Sequence, residues 1–231
     1  MVRFNKSFAQ TVMVLAGYHF FSYKKKEKNN MYCVLVTGIP AAGKSTIAKL
    51  ISEKLDIPMI SKDGIKELLF DDVGFNSREE KVKLGVASAS IMYYMAEQFM
   101  SHKKPFILEN NFENATKEGL DKVLEKYSYK TITVTLTGDY RVIYDRFVER
   151  NNCPDRHRGH VVNDCYPEKE PGRIIEPMSF ESFENAVVSR GMDSYVGNGP
   201  QIVVDTTDFN TVDKDDIVNQ ILKYKEQLYA N

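Results

Sequence analysis

Residues 34–50, VLVTGIPAAGKSTIAKL, constrain this chain more than any other stretch. Gly38, Gly43, Lys44 and Ser45 satisfy the spacing G-x-x-x-x-G-K-[ST] of a loop whose backbone amides wrap phosphate. Cys33 to Thr37 (CVLVT) is a short apolar run with the β-branched content of a buried strand. Beyond Ser45, Ile47, Leu50, Ile51 and Leu55 recur at helical spacing. The pattern predicts a strand, a Gly-bearing loop and a helix opening at Lys44. In that arrangement the N–H groups of the loop and of the helix start converge on one spot and favour negative charge there. The two glycines let backbone approach a phosphate with no Cβ in the way. Ala41, Ala42 and Thr46 complete the loop and the first helical turn. Lys44 is placed to reach the β- and γ-phosphates of a nucleotide, and the Ser45 hydroxyl to ligate Mg²⁺. The competing reading is an ordinary Gly-Pro turn, which the flanking strand and helix patterns disfavour.

With 231 residues the chain is long enough for one sizeable domain carrying a lid or small insertion. Apolar residues at 42%, charged residues at 27% and a net charge of −1 are globular values. They leave no electrostatic footprint for long nucleic acids, though a local basic site is compatible with them. Three cysteines, Cys33, Cys153 and Cys165, are too few for a disulfide scaffold and point to a reducing, cytoplasmic setting. Residues 1–30 stand apart. Phe8 to Tyr23 is mostly apolar between basic flanks, but it contains Gln10, Thr11, His19 and Ser22 and falls short of the ~20-residue span of a bilayer. We read 1–30 as an appendage, with no stable membrane association, and 31–231 as the working domain.

Further along, strands and helices alternate. IPMI (57–60) reads as a second strand and is followed by a helix through Leu68 to Phe70. Ser77 and Glu80 form a capping-box pattern before a long helix reaching about Met100, with Val82, Val86, Met95 and Phe99 expected inward. PFIL (105–108) is a third strand, Leu120 to Tyr127 marks a helix, and KTITVTLT (130–137) is the clearest strand. Asp139 to Arg150 reads as a helix. Prolines and glycines then break the pattern over 151–199, apart from a short helix near Phe180–Val188, and this segment is expected to form the lid. QIVV (201–204) and a helix from Val212 close the chain. Such alternation predicts an α/β fold with a parallel sheet covered on both faces, and ligands beyond the carboxyl ends of the strands.

Those strand ends carry the candidate chemistry. Asp63 follows the second strand, where a carboxylate can take a proton from an acceptor hydroxyl; the plainer reading is a helix N-cap. Lys66 shares that helix turn and is a candidate for binding acceptor or transferred phosphate. Glu109 ends an apolar strand, a pattern that positions Mg²⁺ or its water, and Asn110 and Asn111 are candidate contacts to the acceptor. Arg146 and Arg150 lie one helical turn apart before the irregular segment, with Arg156 and Arg158 inside it. Arginine on a mobile lid delivers its planar charge to phosphate on closure, although surface pairing with Asp145 and Glu149 competes for at least one of the four. Cys153, His157, His160 and Cys165 offer two thiols and two imidazoles, but without a tight C-x₂-C knuckle the spacing weighs against zinc.

GIPAAGKST, then SKDGIK, ILENNF and DRFVERN with a basic lid, resembles the small ATP-binding kinases grouped with polynucleotide 5′-kinase, zeta-toxin and chloramphenicol phosphotransferase. The resemblance spans about residues 31–230. It implies a P-loop NTPase fold with a five-stranded sheet of order 2-3-1-4-5, and Asp63 as general base. It also implies Arg150 and Arg156 as lid arginines, ATP and Mg²⁺ as cofactors, and adenine held near Asp205 to Thr207, with Thr206 central. Gly64 and Lys66 depart from the polynucleotide kinases, which carry a second acid and an arginine there. The expectation is a kinase acting on a hydroxyl of a small molecule. The alternatives are a nucleic-acid or nucleotide 5′-hydroxyl kinase and a slow ATP-hydrolysing switch.

Overall fold

In a computed structural model of the protein, residues 31–228 are described; the reading of 1–30 as an appendage lies outside them. β1 (Tyr32–Gly38) is buried along its whole length, because both faces of the sheet are covered. Alternate residues serve opposite faces. Val34 and Val36 join Ile47, Ile51, Ile132, Val134, Ile217 and Ile221 in one core. Cys33 and Leu35 join Met92, Ala96, Phe106, Leu108 and Leu120 in the other. β1 pairs in parallel with β3 (Phe106–Glu109) and β4 (Lys130–Thr137). β2 (Met59–Ser61) and β5 (Gln201–Asp205) form the edges, giving the expected order 2-3-1-4-5.

Helices α1 (Lys44–Leu55), α2 (Lys62–Asp72), α3 (Arg78–Ser101), α4 (Lys117–Tyr127), α5 (Tyr140–Asn152) and α8 (Lys214–Gln227) fall where the periodicity placed them. The irregular segment holds a single-turn helix, α6 (Arg158–Val161), and α7 (Phe180–Arg190). Within 31–228, no helix is long and apolar enough to cross a membrane.

Three local expectations need correction. The cap of α2 is Ser61, whose side chain accepts from the Gly64 amide at 3.3 Å; Asp63 is therefore not the N-cap. At α3, Ser77 accepts from the Glu80 amide as a capping box requires, but the Glu80 carboxylate reaches back to the Asn76 amide instead. The buried face of α3 runs through Lys81, Ser88, Ala89, Met92, Tyr93, Ala96 and Met100, whereas Val82 and Val86 are 49% and 55% exposed and Met95 is 37% exposed.

The segment expected to form the lid packs on the body. Phe75 and Tyr166 pair as an antiparallel bridge, and Phe70, Phe75 and Val162 form a small separate core. Gly159 lies against the Phe70 ring so closely that a Cβ there would come within 2.3 Å of it. Lys81, only 3% exposed, donates to His160 O at 2.9 Å, to Val162 O and to Asn163 Oδ1 at 3.0 Å, tying the lid to α3.

Candidate active site

All five strands point the same way, so the loops after them gather at one edge of the sheet. After β1, Gly38 has φ 129° and Gly43 φ 90°, and a Cβ at Gly38 would sit 2.0 Å from the Leu136 carbonyl oxygen. Glycine is required there. Ala41 also takes a left-handed conformation, φ 66°, without glycine's freedom, an uncommon strain of the kind that collects at ligand sites. Ala42 is fully buried beneath the loop. No side chain caps the start of α1, unlike the starts of α2, α3, α5 and α8. The first-turn amides of an α-helix lack partners within the helix, so those at Lys44, Ser45 and Thr46 fit an anion.

The Lys44 ammonium folds over this loop, donating to Gly38 O at 3.0 Å and Ile39 O at 2.9 Å. Burial lowers its pKa to about 8, with Glu109 and Asp63 pulling the other way. Glu109 is 4% exposed and accepts from the Ser61 hydroxyl at 2.6 Å. Burial pushes its carboxyl above the usual range, opposed by Lys44 and by the Ser61 and Ser45 hydroxyls. A hydroxyl and a carboxylate oxygen side by side, next to the uncapped helix start, are the hard-oxygen donor set that suits Mg²⁺.

Asp63 faces open space between these groups. Burial works to raise its pKa, but His160, Lys66, Lys44 and Arg156 together hold it below the ordinary carboxylate value. Arg150 comes in from the end of α5 with a buried Nε that has no partner, and its pKa is lowered to about 10 by burial and by Arg156. The Nε of Arg156 is likewise unpartnered, and its Nη1 lies 3.9 Å from Glu67. Asn110 is 6% exposed with an unpartnered Nδ2, while the amide of Asn111 rests 3.6 Å from Met192 Sδ.

Two cavities meet here. One, of about 320 Å³, is lined by Gly43, Lys44, Ser45, Thr46 and Arg146. The other, of about 500 Å³, opens between α2, α3 and the lid and is lined by Lys66, Asn110 and Arg156 among others. Asp63, Glu109, Asn111 and Arg150 line both.

Other expected residues have protein partners of their own. Thr206 is fully buried and its hydroxyl donates to Thr137 O at 2.8 Å, so its side chain shapes the loop after β5 from within. Arg146 holds that loop by donating to the carbonyls of Thr206 and Thr207 while lining the smaller cavity. Arg158 is taken up structurally, by a bidentate pair with Glu168 at 2.6 and 2.8 Å. His157 and His160 contact Asp71 at 3.1 Å and Glu67 at 2.9 Å. Among the described residues no group of three or more His, Cys, Asp and Glu side chains is placed to hold a metal. Sequence reasoning missed Lys81, Arg78 and Phe209, whose ring packs on Gly43. A lysine at position 81, in phase with Ser88, Met92 and Ala96, was a readable signal.

A phosphate loop after β1, a parallel sheet of order 2-3-1-4-5 and helices on both faces define a P-loop NTPase with a kinase-like fold. The chain belongs to the family described as AAA domain (AAA_33), which matches residues 33–164, more than half its length. No curated protein matches the chain. Among solved structures it is similar to a protein of Chloroflexus aurantiacus j-10-fl provisionally assigned as a kinase, with 24% identity and a TM-score of 0.69 over 84% of this chain and 98% of that one. A gluconokinase from Sinorhizobium meliloti 1021 matches with 14% identity and a TM-score of 0.47, over 87% of this chain and 95% of that one. A sugar kinase from Janibacter sp. HTCC2649 matches with 12% identity and a TM-score of 0.49, over 87% and 97%.

Proposed function

We propose that the protein is an ATP-dependent kinase that moves the γ-phosphate of Mg-ATP to a hydroxyl of a small molecule. The observation that carries this reading is the shared wall: Asp63 and Arg150 line both the phosphate-loop cavity and the larger cleft beside it. A donor and an acceptor seated in the two cavities would meet at those residues. Phosphoryl transfer needs mainly positioning and charge neutralisation, and this chain supplies both. The loop amides and Lys44 hold the donor phosphates. Ser45 and Glu109 would hold Mg²⁺, whose contribution is to neutralise phosphate charge. Arg150 and Arg156 converge on the transferred group with unpartnered donors. Asp63, kept ionised by its cationic neighbours, orients the acceptor hydroxyl and receives its proton.

Within the P-loop kinases we group the chain with the polynucleotide 5′-kinase, zeta-toxin and chloramphenicol phosphotransferase set, on the motifs around Gly38, Asp63, Glu109 and Arg150. A nucleic-acid acceptor is less well supported, given the net charge of −1 and the Gly64 and Lys66 departures. A slow switch needs neither an acceptor cleft nor Asp63. Lys44→Ala tests the donor half of the reading. It removes the ammonium and leaves the Ile47 and Ile51 packing of α1 intact. ATP binding measured by calorimetry should weaken sharply and transfer should vanish, while the variant stays folded, with a lowered melting temperature because the Gly38 and Ile39 carbonyls lose their donor. Unchanged ATP affinity and turnover would refute the reading.

A further inference from the structure

The larger cleft is charged in a way that transfer to a neutral alcohol does not require. Lys66 and Arg78 both line it, and among the described residues neither has a hydrogen-bond or ion-pair partner. The Lys66 ammonium lies only 5.3 Å from the Phe70 ring centroid. It is crowded by like charge: burial, Lys62 and Arg78 lower its pKa to about 8, against the pull of Asp63 and Glu113. Lys81 beside them is lowered to about 7 by burial and then by Lys66, Arg78 and Arg156.

The carboxylates facing this space are mostly committed elsewhere. Glu113 is held by Arg190 through two bonds, at 3.0 and 2.6 Å. Glu109 is engaged by Ser61, and Asp63 is the group proposed to meet the acceptor hydroxyl. Glu176 remains on the rim. The Lys66 side chain lies over Gly85 of α3, where a Cβ would meet Lys66 Cε at 3.5 Å and Lys66 Nζ at 3.6 Å, and Val82 and Val86 line the cleft beside it. Two cations without hydrogen-bond or ion-pair partners, opening on a cavity of about 500 Å³, form a receptor for an anion, and together they suit a dianion better than a single carboxylate.

Resting on the kinase reading above, we infer that the acceptor carries a phosphomonoester of its own, seated on Lys66 and Arg78, with its hydroxyl presented to Asp63. The acceptor class is then a hydroxylated phosphate ester such as a sugar or polyol phosphate. Its hydrophobic edge, where it has one, lies along Val82 and Val86.

The test uses the full chain saturated with Mg²⁺ and a non-hydrolysable ATP analogue, so that binding is read without turnover. Three matched pairs are titrated by calorimetry: ribose and ribose 5-phosphate, glycerol and glycerol 3-phosphate, inositol and inositol 1-phosphate. At least one phosphorylated member should bind roughly ten- to a hundredfold tighter than its neutral partner, as expected for charge-assisted contacts. Lys66→Met and Arg78→Met should each erase most of that advantage, and the exposed Lys83→Met should keep it. No preference in any of the three pairs, or a preference that survives both variants, overturns the inference. With ATP in place of the analogue, binding of the phosphate ester without transfer would sink the kinase reading while leaving the subsite standing. Transfer to neutral members only would do the reverse.

Discussion

At the residue scale, Asp63 separates structure from chemistry more sharply than any other position. Ser61 already caps α2, so the carboxylate has no capping duty to lose. Asp63→Asn should therefore leave the melting temperature and ATP affinity near wild type while kcat with the best acceptor falls about 10²–10⁴-fold, the usual cost of losing a positioned base. A folded, ATP-binding variant with near-normal kcat would transfer the role to Glu109. Lys44 gives a pH signature. Its pKa is lowered to about 8, so the ammonium becomes an amine as pH rises through that value and loses its charge toward phosphate. kcat/KM for ATP should fall on the alkaline side of about pH 8, and Lys44→Arg, which keeps its charge, should shift that limb upward even if the rate drops. A flat profile to pH 10 in the wild type would contradict the buried-ammonium account. Lys44 was legible in the sequence from the spacing of the phosphate loop, and Asp63 and Glu109 from their places just after or at the end of a strand. Thr206 was legible only as a location: its backbone lies in the loop after β5, but nothing in the sequence says that its hydroxyl turns inward.

At the element scale, α3 shows where periodicity runs out. Val82, Val86, Ala89, Met92, Tyr93, Met95, Ala96 and Phe99 put apolar side chains nearly all round the helix, so its existence and length were readable but its buried face was not. The face is chosen by tertiary partners. Sheet and α4 cover one side, and the lid, through Lys81, fixes the rotation at the start of the helix. The lid's own order was hidden for a similar reason. Its small core joins Phe70 and Phe75 to Val162 across long sequence separation, and proline-rich sequence gives no sign of that. Lys81→Met removes the ammonium that satisfies three acceptors, leaving two lid carbonyls and the Asn163 side chain without it. Stability should drop by about 1–3 kcal/mol, and proteolysis within residues 153–178 should quicken. Wild-type stability and wild-type cleavage would show that the contact does not hold the lid.

At the scale of the whole molecule, alternation predicted a parallel sheet and the resemblance to small phosphate-loop kinases implied its strand order, but neither gave the cleft. It is assembled from positions as distant as 66, 78, 109, 150 and 156, which only the closed fold brings together. The central claim is that the two cavities serve one reaction across Asp63 and Arg150. The most direct measurement follows the label from γ-³²P-ATP in the presence of nucleosides, sugars, aminoglycosides, short oligonucleotides and phosphate esters. The account predicts label esterified to a hydroxyl of a small acceptor, with ADP formed in equal amount and neither product made by Lys44→Ala. Label released only as inorganic phosphate, at a rate indifferent to every acceptor, would contradict it.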